Sequence, residues 1–209
     1  MTRLAALLCT VFFAATAAAE DAAPAAKDPP PAERPTPQPG TELTYDGKLL
    51  SVSCAHWTVG HLNEDGNLVT SCEDYRLETS VEYGLNAVRI TRKDGDKEAD
   101  FDPYLPALRF PLVLGDGWLV PYRGFTADVG MTWDGTMKCG VAAFEPVTVK
   151  AGTYDAYRVD CEEEWKVATR GGVFHSSRWY APRIGAVVKV EHQEQPERWN
   201  MELTAYKAP

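Results

Sequence analysis

The chain has 209 residues, of which 44% are hydrophobic and 11% aromatic, and it carries a formal net charge of -9. That apolar content is enough for a folded core and excludes a wholly disordered chain. The acidity, with most lysines and arginines beside acidic neighbours, excludes a phosphate-rich partner, so no nucleic acid is expected.

At the N-terminus Arg3 precedes an uncharged run from Leu4 to Ala15, and Ala17-Ala18-Ala19 offers small residues for cleavage before Glu20. This order of features is that of a secretory signal, so residues 1–19 read as a signal peptide and the protein as periplasmic or secreted. The apolar run is shorter than the ~20 residues a membrane-spanning helix needs, and no transmembrane segment is expected after cleavage. Cys9 opens a lipoprotein alternative, although Leu7 and Leu8 stand where that signal requires small residues. Between Glu20 and Gly40 prolines fall at 24, 29, 30, 31, 35, 37 and 39 with no aromatic residue, so 20–40 reads as a disordered linker or extended spacer.

Residues 41–209 hold all six tryptophans and every cysteine of the mature chain, a length that suits one domain. Its patterning is mostly period two, with short runs rich in Val, Thr, Tyr and Trp bounded by Gly, Pro, Asn or Asp. Strands are expected near 48–59, 67–77, 86–92, 108–113, 118–123, 129–133, 138–149, 153–167, 173–180, 184–192 and 198–206. The fold class is therefore mainly β, a curved antiparallel sheet or open β-barrel with two disulfides and few or no helices. Turn chemistry at Asn63-Glu64-Asp65-Gly66, Lys93-Asp94-Gly95-Asp96, Asp134-Gly135 and Arg170-Gly171-Gly172 supports this pattern.

An exported chain can keep disulfides, and pairing by proximity joins Cys54 to Cys72 and Cys139 to Cys161, with crossed pairing as the alternative. Around Gly152 a hairpin closed by Val149 and Thr153 sets Val141 opposite Cys161, so a bridge from Cys139 requires a bulge, for which Pro146 supplies a reason. For the first pair, a loop centred on Asp65-Gly66 needs widening, or a bulge at Gly60. Along 157–165, Tyr157, Val159, Cys161 and Trp165 share one parity while Arg158, Asp160 and Glu162 take the other, so one face is buried.

Three segments carry a family resemblance: Phe110-Pro111-Leu112 with Gly115 and Trp118; Val147-Thr148-Val149 through Ala151-Gly152-Thr153-Tyr154 to Ala156-Tyr157; and Trp179-Tyr180-Ala181-Pro182 with Ile184-Gly185 and Val187-Val188-Lys189. In these it resembles bacterial envelope proteins of the DUF3108/TapB-like type over roughly residues 108–192. The resemblance implies a curved antiparallel sheet or open barrel and no established reaction or catalytic residues.

No assembled catalytic motif is present: there is no G-x-S-x-G, H-E-x-x-H, Walker loop or dinucleotide fingerprint. His56, His61, His175 and His192 lack a metal-ligand spacing, and neighbours His175 and Ser176 point to opposite faces of a strand. The acidic run 94–102 departs from a calcium loop in its glycine position, its missing terminal glutamate and Lys97, and reads as a solvated hairpin tip. Catalytic residues, metal ligands and cofactors are accordingly all expected to be none. Aromatic residues remain, and Trp118, Tyr122, Trp179 and Tyr180 are the candidate ligand-binding residues on a concave sheet face. The function expected is an exported envelope protein, binding or structural, whose partners are a lipid or other apolar ligand and an envelope protein. The alternative is an envelope hydrolase of unrecognised type that uses carboxylates or His175.

Overall fold

The period-two patterning is expressed throughout the folded region, for every regular element among the described residues is a strand. The structure is a computed structural model that describes residues 29–48, 52–193 and 200–209, so the expected signal peptide and Cys9 lie outside the described residues. In chain order the first six strands are β1 (Glu42–Gly47), β2 (His56–Leu62), β3 (Asn67–Cys72), β4 (Tyr75–Ser80), β5 (Asn86–Arg92) and β6 (Lys97–Asp102). They are followed by β7 (Gly117–Thr126), β8 (Met131–Val149), β9 (Gly152–Val167), β10 (Arg170–Ala181), β11 (Ala186–His192) and β12 (Met201–Lys207).

Each strand pairs antiparallel with its sequence neighbours, and β1 closes onto β12 with Glu42 opposite Lys207 and Gly47 opposite Met201. The result is a closed twelve-stranded meander barrel. Closure removes the unpaired edges that an open sheet would expose. Apolar side chains alternate into the lumen, while the outer wall carries ion pairs such as Arg89–Asp100, Arg123–Asp134 and Lys189–Glu191. That polarity, apolar within and charged without, is the reverse of a lipid-facing barrel. No helix among the described residues is long and apolar enough to cross a membrane.

The connections alternate between two ends. The 73–74, 93–96, 127–130 and 168–169 connections lie at one, here called the mouth, as do Lys48 at the end of β1 and Asn200 before β12. Residues 29–41 and the loops 63–66, 81–85, 103–116 and 182–185 lie at the other, the plugged end, while the 150–151 turn lies on the outer wall beside Asp46 and Glu202. At the mouth-end 93–96 turn and the plugged-end 63–66 turn, Asp94 Oδ1 accepts from Asp96 N at 3.1 Å and Asn63 Oδ1 from Asp65 N at 3.1 Å, the short-range bonds that suit Asx to turns.

Several expectations are corrected. Residues 108–113 are not a strand; they belong to the 103–116 loop, where Pro103, Pro106 and Pro111 cannot donate ladder hydrogen bonds. Asn86 holds that loop in place, its Nδ2 donating to Leu108 O at 2.7 Å and its Oδ1 accepting from Leu108 N at 2.9 Å. Residues 97–102 are strand β6 rather than part of a solvated tip, with Ala99 and Phe101 buried. Its carboxylates are matched from β5, Asp100 by Arg89 at 2.8 Å and Glu98 by Arg92 at 2.8 Å.

Part of the Pro-rich segment expected as a disordered linker is packed. Ala32 is buried and exchanges backbone hydrogen bonds with Leu112, Tyr157 donates its hydroxyl to Pro30 O, and Arg34 Nη1 donates to Val81 O at 2.7 Å. Proline leaves such a strap few donors to satisfy, so this small number of bonds suffices to seat it across the plugged end.

Both proximal disulfides are formed, Cys54–Cys72 with Cα atoms 6.4 Å apart and Cys139–Cys161 at 4.1 Å. The β8–β9 hairpin closes one residue tighter than expected, Val149 opposite Gly152, and the required bulge lies at Ala142, between Val141 and Ala143. Pro146 itself stays in register opposite Asp155, so it is not the source of the bulge. Between β2 and β3 the register also shifts, between Val59 and Leu62, around Gly60.

Beyond Ala142 the β8–β9 hairpin continues as an arm over the outside of the barrel. Ala151 N donates to Leu203 O at 3.1 Å, Lys150 N to Glu202 Oε1 at 2.8 Å, and Lys150 Nζ to Asp46 at 2.6 Å. Under this arm the barrel has a second apolar layer, on its outer face, which includes Trp179 and Val188.

Candidate functional site: an apolar lumen with a buried arginine

Inside the barrel lies a cavity of about 430 Å³ that reaches the mouth, where Val129, Met131 and Arg170 form part of its rim. Toward the plugged end a second cavity of about 230 Å³ shares Leu77, Leu85, Leu108 and Val187 with the first and is closed by Pro35 and Phe110. The first lies within the range of ~300–1,000 Å³ occupied by small-molecule sites.

Aromatic rings laid flat on the wall keep the lumen open, and glycines on the adjoining strands make this geometry available. Trp133 lies opposite Gly124, Tyr122 opposite Gly135, and Trp165 opposite Gly172. In each case a Cβ on the glycine would press into the partner's ring. The same pairing of an aromatic over a cross-strand glycine pins register in curved sheets. Phe174 stacks on Trp165 with centroids 5.9 Å apart, and Phe101 packs edge-on to Trp133 at 6.5 Å.

Within this apolar wall is one polar cluster. Tyr122 donates its hydroxyl to Glu163, and Trp133 Nε1 donates to the Tyr122 oxygen at 3.4 Å. Arg178, 9% exposed, donates from Nη1 to Ser176 Oγ at 2.8 Å. Burial pushes the Glu163 carboxyl above its ordinary value, against the opposing pull of Tyr122 and the Arg178 charge. Burial likewise draws Arg178 down, countered by Glu163, and holds the Tyr122 phenol well above its ordinary value. The accessible surface that Glu163 retains faces the lumen, which is why a carboxylate that is not fully covered is strongly desolvated.

These shifts give a pH dependence with a definite sign. A carboxyl raised in the folded state keeps its proton after the unfolded chain has lost it, so stability falls as pH rises from 4.5, its ordinary value, to the raised one. Thermal melts of wild type and Glu163→Gln across that window are expected to show the decline in wild type and a flatter profile in the variant. Identical slopes would remove Glu163 from this role.

The four aromatic candidates separate. Tyr122 lines the main cavity and Tyr180 the second, where its ring meets Phe110 edge-on at 5.0 Å. Trp118 is buried beside the 103–116 loop, donating to Pro106 O at 2.9 Å, and borders a separate groove outside the lumen. Trp179 is on the outer face beneath the β8–β9 arm, donating to Glu145 at 2.9 Å with Lys189 5.0 Å above its ring, and lines neither lumen cavity. A register shift between Trp179 and Tyr180 accompanies this change of environment. The lumen residues that sequence reasoning did not single out are Trp133, Glu163, Phe174 and Arg178. A signal for Glu163 existed, since it shares the buried parity of Cys161 and Trp165.

His175 sits on the outer face 3.5 Å from Glu162, while Ser176 points inward to Arg178. Among the described residues no group of three or more His, Cys, Asp and Glu side chains is placed to hold a metal ion.

No protein-family model and no curated protein matches this chain. Solved structures do share similarity. A Bacteroides fragilis protein described as exported and as having a YmcC-like fold is 13% identical, with 81% of this chain and 96% of that one covered and a TM-score of 0.44. A Parabacteroides distasonis protein described as a lipoprotein is 13% identical over 81% and 96% of the two chains, with a TM-score of 0.47. The hypothetical lipoprotein YmcC of Escherichia coli is 10% identical over 81% and 86%, with a TM-score of 0.48.

Proposed function

We propose that this protein is exported to the cell envelope, where it binds an apolar or amphiphilic ligand, such as a lipid, inside its barrel. The observation that carries the reading is the lumen itself, a cavity of about 430 Å³ walled by Trp133, Trp165, Phe174 and their neighbours. Aromatic and aliphatic walls with few polar groups are the usual lining of a small-molecule site. Export is supported by the Arg3 to Ala19 leader pattern and by the two disulfides, which persist in oxidising compartments. The resemblance to DUF3108/TapB-like envelope proteins agrees with this address and assigns no residue a role.

A cavity-filling variant tests the reading. Ala87 lines the lumen and is 9% exposed, so Ala87→Phe projects a ring into space a ligand would occupy. Wild type is expected to bind the neutral probe Nile red with a blue-shifted emission, and Ala87→Phe at least tenfold more weakly. Circular dichroism confirms the retained fold, since overpacking costs about 1–3 kcal/mol where it strains a wall. Equal binding by the two proteins, or no binding by wild type, would sink the proposal.

A further inference from the structure

The charges lining the lumen run against those of the protein as a whole. The chain carries -9, yet the described residues lining the main cavity include Lys48, Arg170 and Arg178 with one carboxylate among them, Glu163. Arg178 is the deepest of these cations, set opposite Val159 with its side chain directed along β10 to Ser176. A buried guanidinium stays charged, and its planar fork matches a paired-oxygen anion. Glu163, whose hydrogen bond comes from Tyr122, offsets that charge only in part when burial favours its protonated form. An acyl tail laid over this cluster would leave polar groups facing hydrocarbon, whereas an anionic oxygen head group would give the guanidinium a partner. The rings of Trp133, Trp165 and Phe174, with Met131, then provide an apolar track from the cluster to the mouth.

We propose that the lumen takes a single-chain amphiphile with an anionic oxygen head, carboxylate or phosphate, bound head first so that Arg178 receives the head and the tail runs toward the mouth. This rests on the lumen reading above and adds head-group chemistry and orientation to it. Lys48 and Arg170, nearer the mouth, contribute a favourable potential to entry rather than the seat of the head.

The test compares dodecanoate, dodecyl phosphate and dodecanol as competitors of Nile red on wild type, Arg178→Met, Glu163→Gln and Arg170→Gln. Wild type is expected to prefer at least one anion over the alcohol by tenfold or more, the tighter anion naming the head group. Arg178→Met should abolish the preference while keeping dodecanol affinity, Glu163→Gln should increase it, and Arg170→Gln should lower it less than Arg178→Met does. If Arg178→Met fails to fold, Arg178→Lys keeps the charge without the fork and should reduce the preference severalfold. Equal affinity for anions and alcohol in wild type overturns the head-group assignment while leaving the lumen reading intact. A preference lost in Arg170→Gln but kept in Arg178→Met overturns the orientation. Absence of competition by all three compounds, together with no Nile red binding, removes the lumen reading and this inference with it.

Discussion

Trp57→Ala is expected to lower the stability of the barrel by about 3–5 kcal/mol, the scale for removing a large buried aromatic side chain. Trp57 is 1% exposed on β2 and borders the second cavity, so truncation enlarges an existing void that the rigid wall cannot collapse. Its indole N–H also donates to Cys54 O at 2.9 Å, and loss of that bond leaves the chain entering β2 less well fixed beside the Cys54–Cys72 bridge. Equilibrium denaturation of oxidised protein measures the effect. A loss below about 1 kcal/mol would mean that Trp57 is not packed as described, because even a single net hydrogen bond is of that order.

Replacing Cys139 and Cys161 together by alanine is the second large change, with an expected cost of about 3 kcal/mol for a loop of 22 residues. The two residues face each other directly across β8 and β9, and Cys161 shares the lumen-side parity of Val159. The bridge therefore joins the two longest strands just before the Ala142 bulge, where the hairpin leaves the barrel wall to become the outer arm. A denaturant midpoint unchanged in the double variant would show that the bridge does not constrain the unfolded chain as this account requires.

What the sequence disclosed of this architecture was local. The parity of Tyr157, Val159, Cys161 and Trp165, and the turns at Asn63–Gly66 and Lys93–Asp96, predicted strands and facing sides because both signals operate within a few residues. Proximity of the cysteines identified both bridges, and Ala142 rather than Pro146 takes up the extra residue between β8 and β9. Barrel closure was less legible, since β1 meets β12 across pairs as distant as Glu42 and Lys207 and neither strand announces its partner.

The candidate site was legible in part for the same reason. Tyr122 and Tyr180 line the lumen cavities, but the burial of Trp179 arises from an arm folded over the outer wall, a tertiary contact that period-two reading cannot contain. Ala32 shows the converse effect: a residue in a composition suited to disorder is buried because the plugged end offers it Leu112 as a backbone partner. Arg178 and Glu163 interrupt apolar parities on adjacent strands, and such misfits on a buried face mark polar groups that the fold retains within the lumen.

Photo-crosslinking with dodecanoate carrying a terminal diazirine, followed by peptide mapping, tests the central claim most directly. The ligand-in-lumen account predicts adducts on mouth-proximal lumen residues, Met131, Trp133, Trp165 or Phe174, suppressed by excess dodecanoate and lost in Ala87→Phe. Adducts confined to exposed outer residues such as Leu119 and Phe144, or labelling no greater than in unfolded protein, would contradict it.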